Sequence, residues 1–161
     1  MTTPAETITA LARRYRLDVN LGTALAPNWT FLPAIREFQP VYEPVIVDDR
    51  TYDDEGAPRN VKTAYNWNVT LKISHRNHPE TGAWNAAQEN LRMAAEGFND
   101  ASYAHVRWYD RDGKPEAYEG LALVTWTPDG GDGTATDVVT VLLTGHGVRQ
   151  PIDNPIVEEE E

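Results

Sequence analysis

The sequence predicts a mainly β protein, an antiparallel β-sandwich or barrel with one flanking α-helix. Three observations support this fold class. Apolar and polar residues alternate at the period of a half-buried strand in most segments, only one segment changes to helical spacing, and the connections in the second half have hairpin length. These patterns give the order β-β-β-helix-β-β-β in one domain of 161 residues.

The first half of the chain contains two clear strands with a proline-rich region between them. Residues 14–22, RYRLDVNLG, alternate along the chain and end at a glycine. Residues 28–49, NWTFLPAIREFQPVYEPVIVDD, hold three prolines that should interrupt a continuous ladder, so we expect two short or bent strands at a sheet edge. Residues 61–74, VKTAYNWNVTLKIS, show the longest alternation and place Trp67 on the apolar face.

The second half begins with the helix, at about residues 85–97. Asn85 is its predicted N-cap, Gln88 the capping-box partner and Gly97 the stop. An apolar stripe should cover one side of a sheet, and it comprises Ala87, Leu91, Ala94, Ala95 and Phe98. Three strands follow, with the sequences AHVRWYD, AYEGLALVTWTP and DVVTVLLTGHG. We therefore expect an N-terminal arm (1–13), a β domain (14–150) and a C-terminal arm with an acidic tail (151–161).

Composition and charge exclude several classes of function. The chain has no cysteine, which excludes disulfides, thiolate zinc sites and cysteine nucleophiles. Its formal net charge of -11 argues against binding to a phosphate backbone. No apolar run is long enough to span a membrane and the N-terminus lacks the signal-peptide pattern, so we expect synthesis in a cytoplasm and no membrane partner.

The sequence offers little catalytic or metal-binding chemistry. Only His75 and His78 lie close together among the four histidines, and no nucleophile elbow of the G-x-S-x-G type occurs. The acidic loops do not match the D-x-[DN]-x-[DN]-G spacing that wraps a calcium ion, although adventitious calcium binding in these loops is left open as an alternative. We expect no enzyme activity, no catalytic residue, no cofactor and no metal. Five tryptophans leave a carbohydrate-binding β-sandwich as an alternative.

The order of these segments resembles the major tail tube proteins of long-tailed (siphovirus-type) bacteriophages, particularly those that infect actinobacteria. The resemblance covers roughly residues 14–155. Its phrases, in chain order, are NWTFLPAIREFQP, the acidic DDRTYDDEG, VKTAYNWNVTLKIS, AAQENLRMAAEG, VRWYDRDGKPEAYEGLALVTW and VVTVLLTGHGVRQPIDNP.

The resemblance implies a structural virion protein that forms stacked hexameric rings. In that family the strands build a continuous inner barrel, the helix lies outside it, and the long loop between early strands reaches the adjacent ring. The DNA would pass without specific binding, because an acidic wall repels phosphates. Implied partners are further copies of the chain, the tape-measure protein, the tail initiator or distal tail protein and the tail terminator. A single-ring terminator or connector is the alternative within this class.

For this chain, the resemblance implies that the loop at residues 48–60 makes the contact between rings. The loop residues expected at that contact are Asp48, Asp49, Arg50, Tyr52, Asp53, Asp54 and Glu55. The basic residues that we expect to face them on the neighbouring ring are Arg13, Arg14 and Arg149. Tyr52 would be the anchor, and assembly would take place in the cytoplasm of the bacterial host.

Overall fold

The computed structural model describes residues 7–156, which form seven strands and one α-helix. In chain order these are β1 (Tyr15–Asn20), β2 (Trp29–Phe31), β3 (Ile35–Asp48), β4 (Asn60–Ser74), α1 (Ala86–Glu96), β5 (Tyr103–Asp110), β6 (Ala117–Pro128) and β7 (Val138–Pro151). Every strand pairing is antiparallel. The predicted fold class is confirmed. Four strands precede the helix, which agrees with the four strand segments identified in the first half of the sequence but not with the order β-β-β-helix-β-β-β, which counts three.

The strands form one sheet in the order β2-β1-β5-β6-β7-β4-β3. Its two outer strands, β2 and β3, are consecutive in the chain and are separated only by residues 32–34. The backbone of this short segment bonds to both sides, because Leu32 N–H donates to Leu17 and Ser74 N–H donates to Ala34. The two ends of the strand order are therefore adjacent in space, and the sheet curls into a barrel.

The prediction of two short or bent strands between residues 28 and 49 is half right. β2 is short and both strands lie at the ends of the strand order, but β3 runs for 14 residues. Pro40 and Pro44 pair in register with Val69 and Tyr65 and do not interrupt the ladder. The two prolines are four residues apart, so their backbone nitrogens point to the same side of the strand. On an edge strand that side can be the one with no paired neighbour, and the missing N–H groups then cost no ladder hydrogen bond.

Trp67 is a large buried side chain in the interior of the barrel, and several of its neighbours are arranged around it. Its side chain is 3% exposed, lies against Trp108 at a ring distance of 5.5 Å, and donates from Nε1 to the Gly147 carbonyl at 3.1 Å. A Cβ at Gly145 would come within 2.4 Å of this indole, and one at Gly120 within 2.6 Å. The two glycines therefore provide the space that the large side chain occupies.

The helix packs on this core as predicted, and the two exceptions are the roles predicted for Gln88 and Phe98. Asn85 is the N-cap and accepts from the N–H groups of Ala87 and Gln88. Gln88 is not a capping-box partner, however: its buried side chain accepts from Arg76 N–H and donates to the Ser74 and Pro33 carbonyls. The glutamine therefore joins the helix to the end of β4.

Phe98 is the second exception. Gly97 ends the helix in an extended conformation, with φ -82° and ψ 171°, and the chain turns away from the sheet. Phe98 is 86% exposed as a result. Helical spacing predicts burial only as far as the helix continues.

The final strand is longer than predicted, because β7 continues to Pro151. After it, Asn154 donates from Nδ2 to the Asp110 and Lys114 carbonyls at 2.8 and 2.6 Å, which holds residues 152–156 against the β5–β6 turn. Residues 1–6 of the predicted N-terminal arm and residues 157–161 of the acidic tail lie outside the described residues.

Candidate assembly site on the β3–β4 ribbon

The two longest strands continue past the sheet as a two-stranded ribbon. β4 pairs with β7 only from Asn68 to Ser74, whereas it pairs with β3 back to Asn60. Residues 43–48 and 60–66 therefore form a two-stranded hairpin that pairs with no further strand of residues 7–156 on either side, and the loop at residues 49–59 closes it; we call residues 43–66 the ribbon. The loop is shorter than the predicted 48–60, since both end residues lie in strands.

The ribbon exposes aliphatic side chains on both of its faces. Val45, Ile46, Val47 and Val61 are 40%, 57%, 48% and 40% exposed. A continuous apolar run such as 45–47 is typical of a strand that is covered on both faces, as in a parallel sheet. The predicted contact set does not include these aliphatic residues, although the apolar run at 45–47 was the signal in the sequence that could have identified them.

The loop itself has a defined conformation. A single 3-10 turn, Tyr52–Asp54, follows Thr51, whose backbone N–H donates to Asp54 Oδ2 at 2.7 Å. Glu55 then adopts a left-handed conformation with φ 54°. Ala57 N–H donates back to the Asp54 carbonyl at 2.9 Å, which closes the turn. Asp54 therefore organises the loop from its centre.

Two of the five predicted contact carboxylates are already paired with arginines of the same loop. Arg50 donates from Nε to Asp48 at 2.6 Å and from Nη1 to the Gly56 carbonyl at 2.9 Å, and Arg59 lies 3.2 Å from Asp54. The hydrogen bond from Arg50 lowers the pKa of the Asp48 carboxyl below its usual value. These pairs shape the loop and reduce the charge that Asp48 and Asp54 can offer to a partner.

The outward surface of the loop is acidic and carries one aromatic ring. Tyr52 is fully exposed, at 105% of its reference area. Asp49, Asp53 and Glu55 are exposed and form no ion pair with any group of residues 7–156. The tip of the ribbon thus presents a phenol ring with three free carboxylates around it. Whether these residues contact a neighbouring ring stays a prediction.

The three predicted basic partners differ in how far they are free. Arg14 pairs with Asp110 at 3.1 Å and with Glu116 at 2.7 Å in the same chain. Arg149 is held between two aromatic rings, 4.5 Å from the centre of Tyr42 and 4.0 Å from that of Tyr118.

Arg13, by contrast, is exposed beside a recess at the start of β3. The structure therefore leaves Arg13 as the most accessible of the three predicted basic partners.

His75 and His78, the two histidines that lie close together in the sequence, each contact groups of the same chain. His75 Nδ1 lies 3.0 Å from Asp137 Oδ2, and its ring stacks on Trp84 at 3.8 Å. His78 Nδ1 accepts from the N–H groups of Glu80 and Thr81. Across residues 7–156, no group of three or more histidine, aspartate or glutamate side chains is arranged to hold a metal ion.

A buried charged cluster lies on the outer face of β1 and β5. Asp18 is 4% exposed, accepts from Arg107 Nε at 3.0 Å and accepts from the Tyr109 hydroxyl at 3.0 Å. Burial, together with the Asp18 charge, raises the pKa of Tyr109 to about 12. These contacts hold the two strands together. The second carboxylate oxygen, Asp18 Oδ1, has no hydrogen-bond partner among residues 7–156 and lies 3.9 Å from Arg16 Nε.

The tryptophans, all within the described residues, do not form a common exposed surface. Trp67 and Trp108 are buried, Trp29 and Trp126 are partly buried, and Trp84 is 46% exposed. A sugar platform needs several exposed rings on one face, which this distribution does not supply. Separately, none of the helical segments between residues 7 and 156 has the length and apolar character needed to cross a membrane.

Comparisons with known proteins identify the fold. No protein-family model and no curated protein matches the sequence. Among solved structures, the chain is similar to one from the virion of a native gene transfer agent (GTA) particle, with a TM-score of 0.67 and 8% identity over 88% of this chain and 97% of that one.

Two further solved structures are also similar to this chain. One is from the tail of an empty GTA particle with C6 symmetry (TM-score 0.64, 8% identity, 89% of this chain and 99% of that one). The other is the SPP1 tail tube (TM-score 0.61, 10% identity, 89% and 80%). The chain therefore has the fold of phage tail tube proteins.

Proposed function

We propose that this chain, which has the phage tail tube fold, is a structural virion protein that polymerises as stacked hexameric rings into a tail tube. The tube would be the channel through which the genome enters the host. The protein would be assembled in the cytoplasm of the bacterial host and would reside in the virion tail. It would have no enzymatic activity.

One observation carries this proposal beyond the fold. The ribbon exposes Val45, Ile46, Val47 and Val61 around a hairpin that nothing in residues 7–156 covers. Exposed apolar ribbons and free strand edges promote association, and monomeric proteins usually protect them. A ring-forming subunit protects them in another way, because its neighbours cover the ribbon. The C6 symmetry of the GTA tail supports six subunits per ring.

The charge of the chain is consistent with a conduit for DNA. A net charge of -11 repels phosphates, so a genome could pass without adhering to the wall. The partners we propose are other copies of this chain along the tube, a tape-measure protein inside it, and initiator and terminator proteins at its ends. An actinobacterial host stays a prediction from the sequence resemblance.

Electron microscopy of the purified protein tests the proposal, both alone and with the cognate initiator and tape-measure proteins. Hollow rings that stack into tubes are the expected result. Rings that never extend would favour a terminator or connector instead. A protein that stays monomeric under every condition and binds an immobilised glycan would favour the carbohydrate-binding alternative, for which the scattered tryptophans give little support.

A further inference from the structure

We propose that the recess at the start of β3 is the receptor for the Tyr52 loop of a second copy of this chain. The inference rests on the proposed function and extends it, because it assigns both halves of the contact between successive subunits. Its three supports are the shape of the recess, its charge, and its position relative to the loop.

The recess suits one aromatic side chain. Its volume is about 240 Å³, below the roughly 300–1,000 Å³ that is usual for pockets that bind drug-sized ligands. Much of its lining is aromatic or aliphatic, contributed by Tyr15, Phe31, Leu32, Ile35 and Phe38. Tyr15 and Phe38 stack with their ring centres 4.9 Å apart, which fixes one wall. Aromatic anchors that enter such pockets supply much of the binding energy of protein interfaces.

The rim of the recess has the charge that the loop needs. Arg13, Arg36 and Arg111 lie there with Glu37, in a protein with a net charge of -11. None of the three arginines pairs with a carboxylate of residues 7–156. The loop offers the complement, because Asp49, Asp53 and Glu55 are unpaired in the same range. Complementary charges of this kind set the register and the rate of association.

The loop and the recess lie at opposite ends of one strand. The recess includes Ile35, where β3 begins, and the loop follows Asp48, where β3 ends. Thirteen steps at about 3.3 Å each separate these two residues by roughly 40 Å. The loop cannot reach the recess of its own chain, so only another copy can supply it.

This arrangement determines the kind of assembly. A contact between two different surfaces of the same protein is head-to-tail, and it repeats without end unless the rotation closes a ring. Because donor and receptor are displaced along β3, each added copy advances the assembly in the strand direction. In the proposed tube, we assign this contact to the junction between successive rings. It keeps Arg13 from the sequence-based set of basic partners and adds Arg36 and Arg111 in place of Arg14 and Arg149.

The absence of cysteine makes a direct crosslinking test available. A variant of the full chain carries both Asp53→Cys and Glu37→Cys, which leaves the Tyr52 side chain in place, and each single variant serves as its control. Under mild oxidation of assembled protein, the double variant should give a ladder of covalent multimers. Each single variant should give dimers at most, because one cysteine can form only one bond. Circular dichroism establishes that all three variants are folded.

The outcomes separate this inference from the proposed function. Tubes without a ladder would overturn the receptor assignment and leave the tube function intact. A ladder in material that forms no tubes would support the receptor and contradict the tube. If neither tubes nor a ladder form with folded protein and its partners, both proposals fail.

Charge reversal provides a second measurement. The double variant Arg36→Glu/Arg111→Glu, placed in the two-cysteine background, should reduce the ladder by more than about tenfold. Arg76→Glu/Lys114→Glu reverses two exposed basic residues that do not line the recess, so it makes the matched change of charge and should leave the ladder unchanged. Equal ladders in the two variants would overturn the role of the recess charges.

Discussion

Replacing the exposed aliphatic pair of the ribbon should weaken assembly without unfolding the subunit. The double variant Ile46→Ser/Val47→Ser removes two side chains that are 57% and 48% exposed in the isolated chain. The parts of the two side chains that are already covered in the isolated chain are worth about 0.6–1.6 kcal/mol per site, so the free energy of unfolding of the monomer should fall by about that much and leave it folded. In an assembled tube, neighbouring copies cover the same two side chains, so their removal weakens the association between copies.

The size of the effect follows from these exposed fractions. Complete burial of a valine or isoleucine side chain is worth about 1.5–3 kcal/mol. The parts of Ile46 and Val47 that are still exposed therefore represent about 1.6–3.1 kcal/mol in each contact between copies. Since about 1.4 kcal/mol corresponds to a tenfold change, the association constant should fall about 10- to 200-fold.

The critical protein concentration for tube growth, measured by sedimentation, reports this constant. It should rise by the same factor in the double variant. Met93→Ser is the matched control, because Met93 is 55% exposed but lies on α1, away from the ribbon. An unchanged critical concentration in the ribbon variant, or an equal rise in the control, would refute the reasoning that the ribbon is covered on assembly.

Three further predictions concern the subunit and its loop. Gly145→Ala should lower the free energy of unfolding by about 1–3 kcal/mol, since its Cβ would lie 2.4 Å from the Trp67 indole, whereas Gly133→Ala, with nothing within 4 Å, should be near neutral in urea denaturation. Equal stability of the two variants would contradict the packing account. Deletion of residues 50–57 should leave a monomer with normal thermal unfolding that forms no tubes; normal tubes would remove the loop from the contact. Finally, the Asp48 carboxyl should titrate below its usual pKa of 3.8 by NMR, so the stabilisation from its ion pair is present above that pH and is lost as the pH falls through the lower folded value. A titration midpoint at or above 3.8 would exclude that contribution.

The elements of the fold that could be predicted from the sequence are those governed by local pattern. Alternation predicts β4 and places Trp67 in the core, and Asn85 marks the start of the helix. What local pattern does not predict depends on distant partners. Pro40 and Pro44 are compatible with a 14-residue strand only because β3 lies at the end of the strand order.

The same distinction applies to single side chains. Gln88 follows the capping-box spacing, yet its amide is used by the end of β4 and by Pro33, which are distant from it in the chain. Phe98 fits the helical stripe, yet the helix has already ended at Glu96. Spacing records where a side chain would point in a regular element, and it does not record where that element stops or what competes for its polar atoms.

Local pattern indicated the loop of the candidate site but not the contacts of its side chains. The unusual acidic loop is visible in the sequence, and the structure places Tyr52 at its exposed tip. The pairing of Asp48 and Asp54 with loop arginines depends on the turn and could not be predicted from composition. Nor could the recess, because Arg36 of β3 and Arg111 of the β5–β6 turn line the same recess only in the folded protein.

A symmetric electron-microscopy reconstruction of the assembled protein would decide whether this chain builds a tube through its ribbon. The expected result is six subunits per ring, rings stacked into an open tube, and each ribbon covered by a neighbouring copy. Rings that do not stack, or a tube in which Ile46, Val47 and Tyr52 still face solvent, would contradict it.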